Sequence, residues 1–156
     1  AVLMINVKDI DFLQMDKEIS YEYIRGLVEG EGCFSFSTAI YRRKRIKVPS
    51  FSIGMNERDE ELLILVRNKL NLHNPIYKFK PRVRKDGYKR ARFQIIIVRD
   101  IGQIKNKIIP FLYKDNKGFK NKNLEKWISE IENDSLVPER YKILPKIYNS
   151  GFYDKK

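Results

Sequence analysis

Two glutamates stand two residues apart in "YIRGLVEGEGCFSF", Tyr23 to Phe36: Glu29 and Glu31, framed by Gly26, Gly30 and Gly32. Carboxylates are hard oxygen donors and suit magnesium, calcium or manganese. Softer metal chemistry has little to work with. One cysteine, Cys33, and one histidine, His73, cannot build a Cys/His zinc site within a chain, and a lone cysteine forms no intramolecular disulfide. Nucleophilic catalysis of the Ser-His-Asp kind would need His73, which lies in "NLHNP", a helix-end turn and a poor place for it. A helix C-terminus is electronegative, so a carboxylate at Glu31 calls for a cation nearby. A divalent metal would meet that need. Small residues at Gly26 and Gly30 let another helix backbone approach closely, whether from a second chain or from the same domain.

The elements that must position these acids follow from pattern. Ser20 reads as an N-cap, with Glu22 in the first turn of a motif helix over 20–32. Tyr23, Ile24, Leu27 and Val28 are its apolar positions, and Gly30 and Gly32 end it. "CFSFSTAIY" then alternates, with Phe34 and Phe36 opposite Ser35 and Ser37, and "IKVPSFSIGM" is a second strand in which Pro49 marks a bulge or edge. "ERDEELLILVRNKLNL" is an amphipathic helix. A long hairpin follows over "IYKFKPRVRKDGYKRARFQIIIV", turning at Asp86-Gly87. Three helices close the chain, the first bent or shortened at Pro110 and the last opened by Pro138. The order α-ββ-α-ββ-α-α-α predicts one α+β domain over 1–156 with an antiparallel sheet: a strap over 1–18, the sheet and its intervening helix over 33–98, helices over 100–150. Trp127 and Cys33 are expected to be buried. The apolar N-terminus is too short to span a bilayer and lacks a basic leader region.

Charge points to the partner. Lys and Arg number 32 against 20 Asp and Glu, a net charge of +12. A surplus of that size suits a polyanion, nucleic acid before an anionic membrane. In the long hairpin Asp86 is the only acid between Lys78 and Arg99. Alternation there sets Lys78, Lys80 and Arg82 against Tyr77 and Phe79, and Arg90, Arg92 and Gln94 against Ala91, Phe93 and Ile95. The expectation is a basic face joined by Ser35, Ser37, Ser50 and Ser52 on one concave surface. A ten-residue strand is about 33 Å long and a two-stranded ribbon fits the major groove.

"IRGLVEGEG", Ile24 to Gly32, resembles the LAGLIDADG motif of homing endonucleases, with Gly26, Leu27, Gly30 and Gly32 matching and Glu29 and Glu31 in place of two aspartates. The element order and the basic hairpins extend the resemblance over nearly the whole chain. It implies a curved four-stranded sheet forming a DNA-binding saddle, with helices on the other face. It implies that two motif helices pack along Ile24, Gly26, Leu27 and Gly30, so that this single-motif chain works as a homodimer on a pseudo-palindrome of about two DNA turns. Glu31 then takes the metal, Mg2+ or another divalent ion, with the backbone at Gly30, and Glu29 is a structural or capping acid. Lys120, with Lys122 as the next choice, matches the family's basic position, and Lys122 joins the DNA-binding set. Where the family carries a water-positioning polar residue this chain has Met55, followed by Asn56. The implied reaction is hydrolysis of both DNA strands. Two alternatives share the frame: an intron-splicing maturase binding RNA near Tyr113, Lys114, Lys117, Lys120 and Lys122, and a non-catalytic DNA-binding protein. Richness in Lys, Ile and Asn fits an organellar or prokaryotic intron source.

Overall fold

The computed structural model describes residues 18–81, 83–89, 92–115 and 118–154. The expected N-terminal strap falls almost wholly outside them. Helix α1 runs Tyr21–Glu31, and Ser20 caps it by accepting the Tyr23 N–H at 3.0 Å. Ile24 and Val28, one turn apart, are fully buried and fix the inner stripe. Gly32 turns the chain straight from helix to strand. A Cβ there would stand 2.7 Å from Val28 Cγ1 and 2.8 Å from the Val28 carbonyl, so only glycine lets β1 start at this point.

Strands β1 (Gly32–Tyr41) and β2 (Lys44–Asn56) pair antiparallel from Gly32↔Ile53 to Tyr41↔Lys44. Their two-residue turn holds Arg42 at φ 50° and Arg43 at φ 65°, a conformation that usually selects Asn-Gly. Helix α2, Glu60–Lys69, follows a 3-10 turn at Glu57–Asp59. β3 (Tyr77–Phe79) pairs with β4 (Phe93–Val98), which pairs in turn with β2. The result is an open, four-stranded antiparallel sheet in the order β1-β2-β4-β3. Between β3 and β4, Gly87 sits at φ 84°, the Tyr88 N–H donates to Asp86 Oδ1 at 3.1 Å, and Val83 bridges Lys89. The expected turn is therefore in place, while ladder pairing among the described residues covers only the three residues of β3. Pro49 lies in β2 opposite Phe36, in the stretch that β4 does not reach.

Helix α3 is one run built from Ile101–Gln103, a π-helical Ile104–Ile108 and Ile109–Leu112. Asp100 caps it by accepting the Gln103 N–H at 2.8 Å. Pro110 has no N–H for the carbonyl of Asn106, and the widened π turn absorbs that lost bond. α4 spans Lys120–Asn133 and α5 spans Ile143–Asn149. The helix expected from Pro138 starts instead as a 3-10 turn, Glu139–Lys142.

Phe51, Ile53, Met55, Ile96 and Val98 share one sheet face and join Ile24, Val28, Leu63, Val66, Ile108, Leu124, Trp127 and Leu144 in the core. The helices cover that face and leave the other open. Trp127 is buried as expected and donates its indole N–H to the Ser35 carbonyl at 2.8 Å. Cys33, expected inside, is exposed: it shares the open face with Ser35, opposite in parity to Phe34. No helix among the described residues is long and apolar enough to cross a membrane.

Candidate nucleic-acid interface and its acidic centre

The two glutamates of α1 have different fates. Residues two apart on a helix point about 200° away from each other. Glu29 turns to its own chain: its Oε1 accepts the Gly118 N–H at 3.1 Å and its Oε2 the Lys120 N–H at 3.3 Å. These amides open α4, where N–H groups lack helical partners and the dipole favours an anion. A Cβ on Gly118 would stand 2.3 Å from Glu29 Oε2, so the capping carboxylate requires glycine there. Glu31, the last residue of α1, is exposed and has no hydrogen bond or ion pair among the described residues.

The Glu29 cap also brings Lys120 to the C-terminal end of α1, half-buried, with Lys122 exposed one residue beyond Asn121. Asn56 closes β2. It lies three residues past Ile53, the partner of Gly32, so about 10 Å further along the strand. Its Oδ1 accepts the Arg58 N–H at 3.1 Å. Met55 points into the core, so of the two it is Asn56 that lies on the open side of the sheet.

Gly26 and Gly30 face outward, with nothing among the described residues within 4 Å of where a Cβ would stand. Leu27 is half-buried beside them and Tyr23 is exposed. Ile24 does not belong to this face. It is fully buried in the chain's own core, about 200° round the helix from Gly26.

Among the serines, Ser35 and Ser50 share a hydrogen bond of 3.1 Å, and Ser37 Oγ accepts from Arg99 Nε at 3.0 Å. Ser52 is half-buried on the open face, whereas Ser50 is buried and out of reach of a ligand.

The second hairpin is turned over relative to the sequence reading. The register Tyr77↔Ile95, Lys78↔Gln94 and Phe79↔Phe93 places Lys78 and Gln94 on the helix side. Gln94 is fully buried; its Nε2 donates to the Asn56 carbonyl at 3.4 Å and its Oε1 has no partner among the described residues. Lys78 pairs with Glu60 at 2.7 Å, and the hydrogen bond and charge of Glu60 hold its pKa above the ordinary lysine value. Arg92 approaches Glu57 at 3.4 Å, and Lys80, just past β3, is exposed. Arg82 and Arg90 lie outside the described residues. The open face here carries Tyr77, Phe79, Phe93, Ile95 and Ile97 instead.

The stretch "RRKR", Arg42 to Arg45, carries the turn from β1 into β2. Arg42 and Arg43 stand exposed at the tip of the longest ladder, the Arg42 guanidinium 5.2 Å from the Tyr41 ring centroid. In the patch considered for RNA, Tyr113 is buried and Lys114 pairs with Asp154 at 3.1 Å; Lys117 lies outside the described residues.

Among the described residues no cluster of three His, Cys, Asp or Glu side chains could hold a metal ion. Glu31 is a hard donor, and the Gly30 carbonyl lies in a last helical turn where carbonyls lack helical partners. That donor set fits a hard divalent ion and is incomplete in one chain.

A family profile described as LAGLIDADG endonuclease matches residues 24–131, from the middle of α1 to the last turns of α4. The chain belongs to the LAGLIDADG endonuclease family. Among solved structures it is similar to I-SmaMI bound to an uncleaved DNA target in the presence of calcium ions, at 19% identity and a TM-score of 0.61, over 88% of this chain and 47% of that one. It is similar to the I-LtrWI homing endonuclease bound to target DNA, at 22% identity and 0.57, over 86% of this chain and 44% of that one. The homing endonuclease I-TnaI matches at 21% identity and 0.55, over 84% of this chain and 86% of that one. The chain thus spans about half the length of I-SmaMI and I-LtrWI and most of I-TnaI. At these identities the likeness concerns the fold. No curated protein matches the chain by sequence at a significant level.

Proposed function

We propose that the chain is one half of a site-specific DNA endonuclease, working as a two-fold pair on double-stranded DNA. The observation that carries this is the outer face of α1: Gly26 and Gly30 bare and Glu31 without a partner among the described residues, with an open sheet face beginning at the next residue. A second copy packed along the glycines would set two Glu31 carboxylates side by side. The I-SmaMI and I-LtrWI structures, solved on DNA with chains about twice as long, support this reading.

The Glu31 carboxylates and Gly30 carbonyls of the pair would hold a divalent ion such as Mg2+, which would supply Lewis-acid chemistry to a phosphodiester. The rest falls to side chains. Lys120, held at this end of α1 by the Glu29 cap, adds positive charge for the transition-state phosphate. Asn56 is the polar group on the open face for orienting the attacking water. Ser35, Ser37, Ser52, Lys80 and Lys122 contact DNA, with the Arg42-Arg43 turn reaching outward along the groove. The RNA-binding alternative has less support, since Tyr113 is buried and Lys114 is paired.

The test uses a randomised duplex library with Mg2+. The wild-type chain is expected to cut a pseudo-palindrome of about two turns. Glu31→Gln should bind the same site without cutting it; loss of binding in that variant would make Glu31 structural. Gly26→Gln meets open space in the single chain and improves helix propensity, so the domain should fold at least as well, while pairing and cutting are lost.

A further inference from the structure

We infer that the β3–β4 part of the open face selects thymine, reading its C5-methyl groups through an apolar stripe of Tyr77, Phe79, Phe93, Ile95 and Ile97. This rests on the DNA-binding reading above and adds the sequence preference of one part of the surface. The register sets the stripe on the same face as Ser52, Gly54 and Asn56, away from the helices. Tyr77 is 46% exposed, Phe79 50% and Phe93 39%.

The rings are held in place. The Phe79 and Phe93 centroids are 6.2 Å apart with their planes tilted by 33°. Phe93 lies across Gly54, so closely that a Cβ there would stand 2.2 Å from Phe93 Cζ. Glycine in β2 thus fixes the height of the ring above the sheet. Three strands at about 4.8 Å spacing make this surface roughly 10 Å wide, within the roughly 12 Å of a major groove.

The occupant follows from chemistry. The stripe lies in a chain of net charge +12, beside exposed Lys80, Arg84, Lys85 and Lys89, which favours a polyanion over an apolar protein surface. In the major groove the one apolar group on a base edge is the thymine methyl. An aromatic ring set against a guanine, cytosine or adenine edge would strip water from donors and acceptors and return no hydrogen bond. Against thymine it buries a methyl instead.

The experiment compares duplexes on the full chain. Binding sites are selected from a randomised library. The selected duplex is then made with each enriched thymine opposite this half of the protein replaced by 2′-deoxyuridine, which lacks only the methyl. Wild-type affinity is expected to fall about fourfold per methyl removed. Phe79→Ala should bind thymine and uracil duplexes alike. Equal wild-type affinity for the two duplexes would overturn the inference while leaving DNA binding intact. Equal affinity together with weaker self-association of Phe79→Ala would assign the stripe to a second copy of the chain. Absence of salt-dependent binding to any duplex would sink the endonuclease reading and this inference with it.

Discussion

The two hairpins of the sheet are built by different means. In the first, ten consecutive pairs lock β1 to β2, and the inner Phe34 packs 5.2 Å from both the Phe51 and the Trp127 ring. Trp127 also holds the Ser35 carbonyl, and Lys47 reaches Asp134 at 2.8 Å at the far end of α4. In the second, three pairs join β3 to β4, its ion pairs, Lys78 with Glu60 and Arg92 with Glu57, are exposed, and its ring pair, Phe79 with Phe93, lies on the open face. The first is anchored by buried rings; the second is held mostly by its inner strand. A serine-lined half paired over ten residues and an apolar half paired over three thus share one open face.

The comparison can be broken most forcefully at Trp127. Trp127→Ala removes the ring and orphans the Ser35 carbonyl, so a loss of about 3–5 kcal/mol in chemical denaturation is expected. A loss under about 1 kcal/mol would mean that the first hairpin does not depend on α4. Gln94→Leu acts in the other direction. It deletes a buried, unpartnered acceptor and should raise stability by about 1 kcal/mol, with DNA affinity unchanged. Weaker, less adenine-selective binding would instead return Gln94 to the interface. Phe79→Ala touches an exposed ring and should alter stability by no more than about 0.5 kcal/mol.

The smallest effect concerns Asp134. The hydrogen bond from Lys47, then that from the Leu136 N–H, holds its carboxyl below the ordinary 3.8. With the folded value depressed, the contribution is complete above the unfolded value and is lost as pH falls through the folded one. An NMR titration should find Asp134 still ionised where ordinary aspartates are protonated, and Lys47→Met should move it back up. An unchanged midpoint in that variant would remove the tie from the description of the first hairpin.

The first hairpin was legible because Phe34, Phe36, Ser35 and Ser37 alternate without interruption, and alternation fixes a face. By the same parity Cys33 could have been set outside. The second hairpin misled for a physical reason. "FQIIIV" contains an unbroken apolar run, which states that a strand is buried but not which parity points inward, and a shift of one residue exchanges every side chain between faces. Basic side chains suggest an exposed face, yet the long stem of Lys78 lets its ammonium reach Glu60 from the helix side. Ile24 was separable from the glycine face by helix geometry alone, since positions two apart diverge by about 200°. The capping role of Glu29 was readable only in outline. Its partners, Gly118 and Lys120, are 89 and 91 positions away, and nothing local in the sequence names them.

Glu29 is satisfied within its own chain, whereas Glu31 and the glycine face beside it have no partner among the described residues. Under the pairing proposed above, folding would be a first-order event and cutting a second-order one. A cell that holds few copies would contain folded chains and almost no scissors, and while pairs are scarce each halving of the chain would quarter them by mass action. The enzyme proposed above would thereby carry its own dosage threshold, written into two outward-facing glycines and the distance between one glutamate and the next.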